Sequence, residues 1–212
     1  MLFFAVIIQL LVMPLPMLIR RIVLRYFLGW SIGARTKIGC SIILADNVSI
    51  GQDCRMGHFN IFRGLKLLEI GSGTVILNLN HIMARKDVTW PREFHIGNHS
   101  QITSRHFFDS GGIVRIGNLC CIGGRDSQIW THSLLLRADG MRALEWRRLV
   151  IDDRCYIGAR VTLVHCRIPS DCVVGAGAVV TKDFTVAGSG FLLAGNPARV
   201  RKLYPGQLVV AA

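Results

Sequence analysis

Counting in sixes from Ile32 returns an apolar residue six times running: Ile32, Ile38, Leu44, Ile50, Met56 and Phe62. The residues that follow are Gly33, Gly39, Ala45, Gly51, Gly57 and Arg63, all but the last small. The phase slips by two and resumes at Ile70, Ile76 and Ile82, then at Ile96, Ile102 and Phe108, then at Ile116 and Ile122. A last block runs Ile151, Ile157 and Leu163, slips by one to Ile168, and continues to Val174 and Val180. A period of six matches neither the 3.6 of a helix nor the 2 of a flat strand. It matches a short strand, a turn and a return to the same phase. Three such units close a triangular coil, and stacked coils give an all-β prism of parallel sheets with the apolar residue inside. The residue after it is predicted to lie at the bend, where a missing Cβ helps. The fifth position should be small and lean inward; it holds Thr36, Val48, Cys54, Thr74, Ser100, Cys120, Cys155, Val161, Cys172 and Ala178. Asn60 and Asn80 share that position and should pair along the axis.

That slot accounts for four of the seven cysteines. No cysteine pair has zinc-finger or redox spacing, so free thiols in a reducing, cytoplasmic compartment are expected. Two long excursions break the repeat, residues 83–95 and 133–150, and long excursions from a regular scaffold usually carry function. Ahead of the repeat, residues 1–19 are apolar apart from Gln9, with Pro14 and Pro16 near the end and Arg20, Arg21 and Arg25 following. A signal peptide would place its charge first. The run is marginal for a spanning helix. Arginines among Ile, Val, Leu, Phe and Trp up to Trp30 suit a helix lying in a membrane interface with its positive flank on the cytoplasmic side. The alternative is a helix packed on the domain or a partner. The expected organisation is a membrane-associating helical segment over 1–29, the repeat domain over 30–203 and a tail over 204–212. The net charge of +12 asks for an anionic partner; nucleic-acid binding rests on charge alone and is not expected.

The Ile-Gly hexads, the run Val173-Val174-Gly175-Ala176-Gly177-Ala178-Val179-Val180-Thr181-Lys182, and the ending Ala194-Gly195-Asn196-Pro197-Ala198-Arg199-Val200 resemble the left-handed β-helix acyltransferases. The likeness is to sugar O-acetyltransferases of the colanic-acid and nodulation type. His106-Phe107-Phe108-Asp109 and Ser127-Gln128-Ile129-Trp130-Thr131-His132-Ser133 resemble a subgroup tied to surface-polysaccharide synthesis. The resemblance spans residues 30–203 and leaves out the apolar amino terminus. It supplies the left-handedness, which the counting alone does not. It also implies acetyl-CoA as donor, a sugar or glycan hydroxyl as acceptor, no metal, and a homotrimer with sites between neighbours.

In that family a loop histidine is the general base, and His132 matches by motif and position. Imidazole suits the task because its ordinary pKa lies near working pH. Its orienting acid is either Asp109, at a hexad bend, or Asp126, an acid in a fifth-position slot. His106, Gln128 and Trp130 are candidate acceptor contacts. For His106 the alternative is a satisfied rung histidine; for Gln128 it is a register slip that turns Ile129 inward, the preferred reading. The resemblance lays the pantetheine arm near Ala159 and Gly175, Ala176 and Gly177, with the adenosine phosphates near Lys182, Arg199, Arg201 and Lys202. The alternative for these cations is a solvated basic tail. His58, His81, His95, His99 and His165 are given no role. Two other functions stay open: a non-catalytic β-helix scaffold, and a γ-carbonic-anhydrase-like zinc enzyme. The latter needs a histidine pair with four residues between, whereas the nearest pair here, His95 and His99, has three.

Overall fold

The computed structural model describes residues 2–86, 89–136 and 142–203. Two helices, α1 (Leu2–Val12) and α2 (Met17–Leu28), precede a stack of short parallel strands. The strands form three faces. One runs from Lys37–Ile38 through Arg55–Met56, Val75–Ile76, Gln101–Ile102, Cys121–Ile122, Tyr156–Ile157 and Val173–Val174. A second stacks residues 42–44, 61–63, 81–83, 107–109, 128–130 and 162–164. The third carries residues 47–50, 67–70, 93–96, 113–116 and 148–151. Partners are always one coil apart, so every coil pairs with the next.

The residues counted in sixes fill the prism. Ile38, Met56, Ile76, Ile102, Ile122 and Ile157 are buried on one face, and Ile50, Ile70, Ile96, Ile116 and Ile151 on another. The repeat count needs one correction on the second face. Ile43, not Leu44, points inward, because Ile43 stacks on Phe62 and a bulge after Leu44 absorbs the offset. A second correction concerns the bend, which falls at the fourth hexad residue. Arg35, Asp53, Phe59, His99, Leu119 and Arg154 all have φ between 53° and 58° or close to it, at 56°, 58°, 58°, 53°, 55° and 56°. The glycine at the second position serves contact between coils instead. A Cβ at Gly33 would run into the Gln52 backbone, and one at Gly51 would lie 2.6 Å from Ser72 N.

The fifth position does more than fill space. Thr36 Oγ1 donates to Gly51 O at 2.6 Å, Cys54 Sγ to Gly71 O at 3.1 Å, and Thr74 Oγ1 to Gly97 O at 2.7 Å. Ser100, Cys120 and Cys155 continue the column to Gly117 O, Asp152 O and Pro169 O. Asn60 Oδ1 accepts from both Asn80 N and Asn80 Nδ2 at 3.0 Å, a ladder along the axis.

The helices close the open first coil. Residues 13–16, with both prolines, break the apolar run, and α2 ends at Gly29 with φ of 68°. Gln9 of α1 holds both backbone groups of Ile43: its Nε2 donates to Ile43 O at 2.9 Å and its Oε1 accepts from Ile43 N at 2.8 Å. Arg20 of α2 donates to Ile38 O at 2.6 Å. No helix among the described residues is long and apolar enough to cross a membrane. At the other end, Phe191–Ala194 folds back antiparallel on Arg199–Leu203. Residues 204–212 lie outside the described residues.

Candidate functional site

Both excursions leave the second face at the same edge. One departs after Met83 and the other after Trp130, two rungs further along the stack. The face therefore gathers what the sequence separates: residues from the first excursion stand over the start of the second. The second begins as an antiparallel hairpin, His132–Leu136 against Arg142–Trp146, and His132 is its first residue.

His132 Nδ1 lies 2.7 Å from Asp109 Oδ2. The carboxylate is nearly buried and also takes Thr131 N–H at 3.2 Å, with the Thr131 hydroxyl 3.0 Å away. Thr131, fully buried, is itself fixed by Gly112 N, which donates to its Oγ1 at 2.8 Å. A carboxylate only accepts, so Nδ1 is the donor and the Nε2 lone pair is left for a substrate proton. The rings of Trp90 and Trp130 each lie 6.0 Å from the His132 ring. The Phe107 and Trp130 rings lie 5.1 Å apart, tilted at 44° to each other. His132, Asp109, Phe107 and Trp130 line an open cleft of ≈ 410 Å³ together with Arg63, Met83, Arg85 and Lys86.

Asp126 is not brought to His132. The register slips by one after Ile122, so Asp126 becomes a turn residue at φ of 62° and pairs with Arg105 at 3.3 Å, while Ser127 takes the inward slot. The same slip turns Ile129 inward and leaves Gln128 exposed, 3.3 Å from Trp130 Nε1. His106 stays inside the coil and does not line the cleft. Its Nδ1 accepts from Ser127 N at 3.2 Å and its Nε2 lies 2.9 Å from Thr103 Oγ1. Burial pushes its pKa down to about 4, since no carboxylate offsets the lost hydration well enough. His165 follows Val164, the rung partner of Trp130, and its pKa is lowered by burial first and by Arg147 second. Trp90, Arg85 and Lys86 lie in the first excursion, which the sequence reading marked as functional without assigning them roles; Arg63, inside the repeat, escaped it.

On the opposite edge of the same face, Gly124, Arg125, Ala159, Arg160, Ala176 and Gly177 line a second open groove of ≈ 520 Å³. A side chain at Gly177 would meet nothing within 4 Å, so the backbone there is open to a ligand. Gly175 lies outside the groove, under Ala194. Lys182 sits 5.1 Å above the Phe184 ring, and Arg199, Arg201 and Lys202 are exposed on the returning strand. Arg125 and Arg160 are cations at the groove that the sequence reading did not select. Among the described residues no group of three His, Cys, Asp or Glu side chains is placed to hold a metal ion.

No family model and no curated protein sequence matches the chain. Among solved structures, a variant of AntD, an N-acyltransferase from Bacillus cereus in complex with dTDP and coenzyme A, aligns at a TM-score of 0.57 and 16% identity, over 86% of this chain and 88% of that one. A hexapeptide-repeat-containing acetyltransferase from Vibrio cholerae aligns at 0.52 and 19%, over 95% and 89%. The fold is a left-handed parallel β-helix. At these identities the likeness is one of fold, so the chemistry rests on the site. In this β-helix the site has two halves at opposite edges of one face. Each strand of the face is about three residues wide, so the halves stand ~10 Å apart across it.

Proposed function

We propose that the protein is an acyl-CoA-dependent O-acetyltransferase that moves an acetyl group from acetyl-CoA to a hydroxyl of a sugar or surface-polysaccharide precursor. The observation that carries this reading is the 2.7 Å contact between His132 Nδ1 and the nearly buried Asp109, at the wall of an aromatic cleft. His132 Nε2 takes the acceptor hydroxyl proton as that oxygen attacks the thioester carbonyl. Asp109 keeps the ring in the required tautomer and stabilises the imidazolium that forms. As the tetrahedral intermediate collapses, the C–S bond breaks and the proton passes from Nε2 to the departing sulfur.

The groove of Gly124, Ala159, Ala176 and Gly177 suits a pantetheine arm, because small side chains expose backbone donors and acceptors. Arg125 and Arg160 beside it suit phosphates. The fold neighbour from Bacillus cereus carries coenzyme A, which supports the same donor here. Because groove and base stand at opposite edges of one face, the arrangement favours a homotrimer in which one protomer's groove faces its neighbour's His132. Thiols that donate to carbonyls, as at Cys54, Cys120 and Cys155, suit a reducing compartment. The exposed apolar helices suit attachment to the inner face of the cell membrane.

The test is release of free CoA thiol from acetyl-CoA with a panel of surface-glycan precursors. His132→Ala should lower the rate about 10²- to 10⁴-fold. Undiminished release in that variant would remove the assignment. Sedimentation should give three times the 23.5 kDa protomer mass; a monomer with full activity would end the shared-site reading.

A further inference from the structure

We infer that the cleft beside His132 selects an anionic acceptor, a sugar carrying a carboxylate or phosphate group near the hydroxyl that reacts. This rests on the acyl-transfer reading of His132. The lining has three cations, Arg63, Arg85 and Lys86, all exposed. Among the described residues its one carboxylate is Asp109, already occupied by His132 and Thr131. Lys86 has Asp46 at 3.9 Å, a distance that leaves its ammonium available to a ligand. Charge of one sign in a concave, aromatic-walled site concentrates counter-ions far more than the same charge on a flat surface.

The positions are graded along the stack. Arg63 pairs in register with Met83, and Met83 with Asp109. Two rungs separate Arg63 from the acid that holds His132, ~10 Å at the usual strand spacing. Arg63 and His132 both line the cleft, so a sugar with its hydroxyl at His132 would direct an acidic substituent toward the long Arg63 side chain. The Phe107 and Trp130 rings line the same cleft at the His132 end, and their faces suit the apolar C–H side of a pyranose. The backbone under Arg63 is fixed. The next residue, Gly64, has φ of 83° and no room for a Cβ against Ala84 O, and the buried Arg92 donates to Gly64 O at 2.8 Å.

The cations do not serve the donor. The groove starts at Gly124, in the coil that leads to His132, and runs through Ala159 to Gly177, away from the helices. Arg63, Arg85 and Lys86 lie in coils on the helix side of His132. Donor and acceptor would reach the base from opposite ends of the prism.

The test measures binding apart from turnover, using full-length His132→Ala protein. Methyl glucuronide, glucose 1-phosphate and neutral methyl glucoside are titrated at millimolar concentration by ligand-observed NMR. At least one anionic probe should bind about tenfold tighter than the neutral glycoside at low salt, the scale of one charge-assisted contact. The preference should shrink with added salt and vanish in Arg63→Glu, with the fold checked by circular dichroism. The order of the two anionic probes tells carboxylate from phosphate. Equal or absent binding of all three, or a preference that survives Arg63→Glu, would overturn the inference. Acid-selective binding by a wild-type protein that releases no thiol with any acceptor would sink acyl transfer and leave this inference standing. Equal thiol release with neutral and acidic acceptors would do the reverse.

Discussion

Three histidines show how position decides what an imidazole does. His132 stands at the edge of a face, with one nitrogen on Asp109 and the other toward a cleft. His106, in the next coil toward the helices, is sealed inside with both nitrogens engaged by Ser127 N and Thr103 Oγ1. His165, beyond Trp130, buries its Nε2 without a partner. For His106 the consequence is a pH dependence of stability. Its folded pKa of about 4 lies below the ordinary 6.5. Between those values the unfolded chain binds the extra proton, so stability falls as pH drops through that window and levels off below it. The full swing is at most about 3 kcal/mol. His165 is lowered too and adds in the same direction. His106→Asn, which extends the ladder of Asn60 and Asn80, should flatten the fall in melting temperature between pH 7 and pH 5. An identical slope in wild type and variant would show that His106 is not the titrating group.

At the scale of elements, how the first coil is closed matters most. A parallel stack ends in a row of open backbone groups. Here Gln9 copies a peptide bond, offering one donor and one acceptor to Ile43, while Arg20 covers Ile38 O. Gln9→Leu would leave both Ile43 groups unmet under a helix, at a cost of about 1–3 kcal/mol. The melting temperature should fall by about 2–4 °C per kcal/mol lost, and amide exchange should quicken first around Ile43. Fast exchange spread evenly over all coils would contradict a local cap. The repeat itself was legible because period six fixes the inward residue: from Ile38 to Val180 every counted residue but Leu44 is buried. What escaped the count came from contacts between coils. The offset at Ile43 and the purpose of the second-position glycines each depend on what the adjacent rung does, whereas the slip that turns Ile129 inward was already visible at Gln128. The same reason hid part of the site: stacking brings Trp90 against His132 and Arg63 into the same cleft, which no spacing along the chain reports.

For the whole molecule, the distribution of charge and apolar surface gives the prism two unlike ends. The helix end has no Asp or Glu before Asp46, while Arg21, Arg25 and Lys37 flank it and Arg35 is paired with Asp53. Its helices leave Phe3, Leu11, Leu18, Ile22 and Tyr26 more than 60% exposed, at 79%, 69%, 63%, 62% and 83%. Neither helix can span, so attachment would be in the plane of the interface. Cations beside such a face add about 1 kcal/mol each toward an anionic lipid surface. With the helices on the membrane, the cleft's cationic end would lie nearest the lipid and the groove of Gly124, Ala159 and Gly177 would point to the aqueous side. The prediction is flotation of the full-length protein with phosphatidylglycerol vesicles at low salt and its loss with phosphatidylcholine alone. Phe3→Ser with Leu11→Ser and Ile22→Ser should abolish flotation and leave the melting temperature nearly unchanged, since these side chains are already in water. Should the triple variant still float, or should wild type instead double its sedimenting mass through this face, the helices serve contact between protein copies and not attachment to lipid.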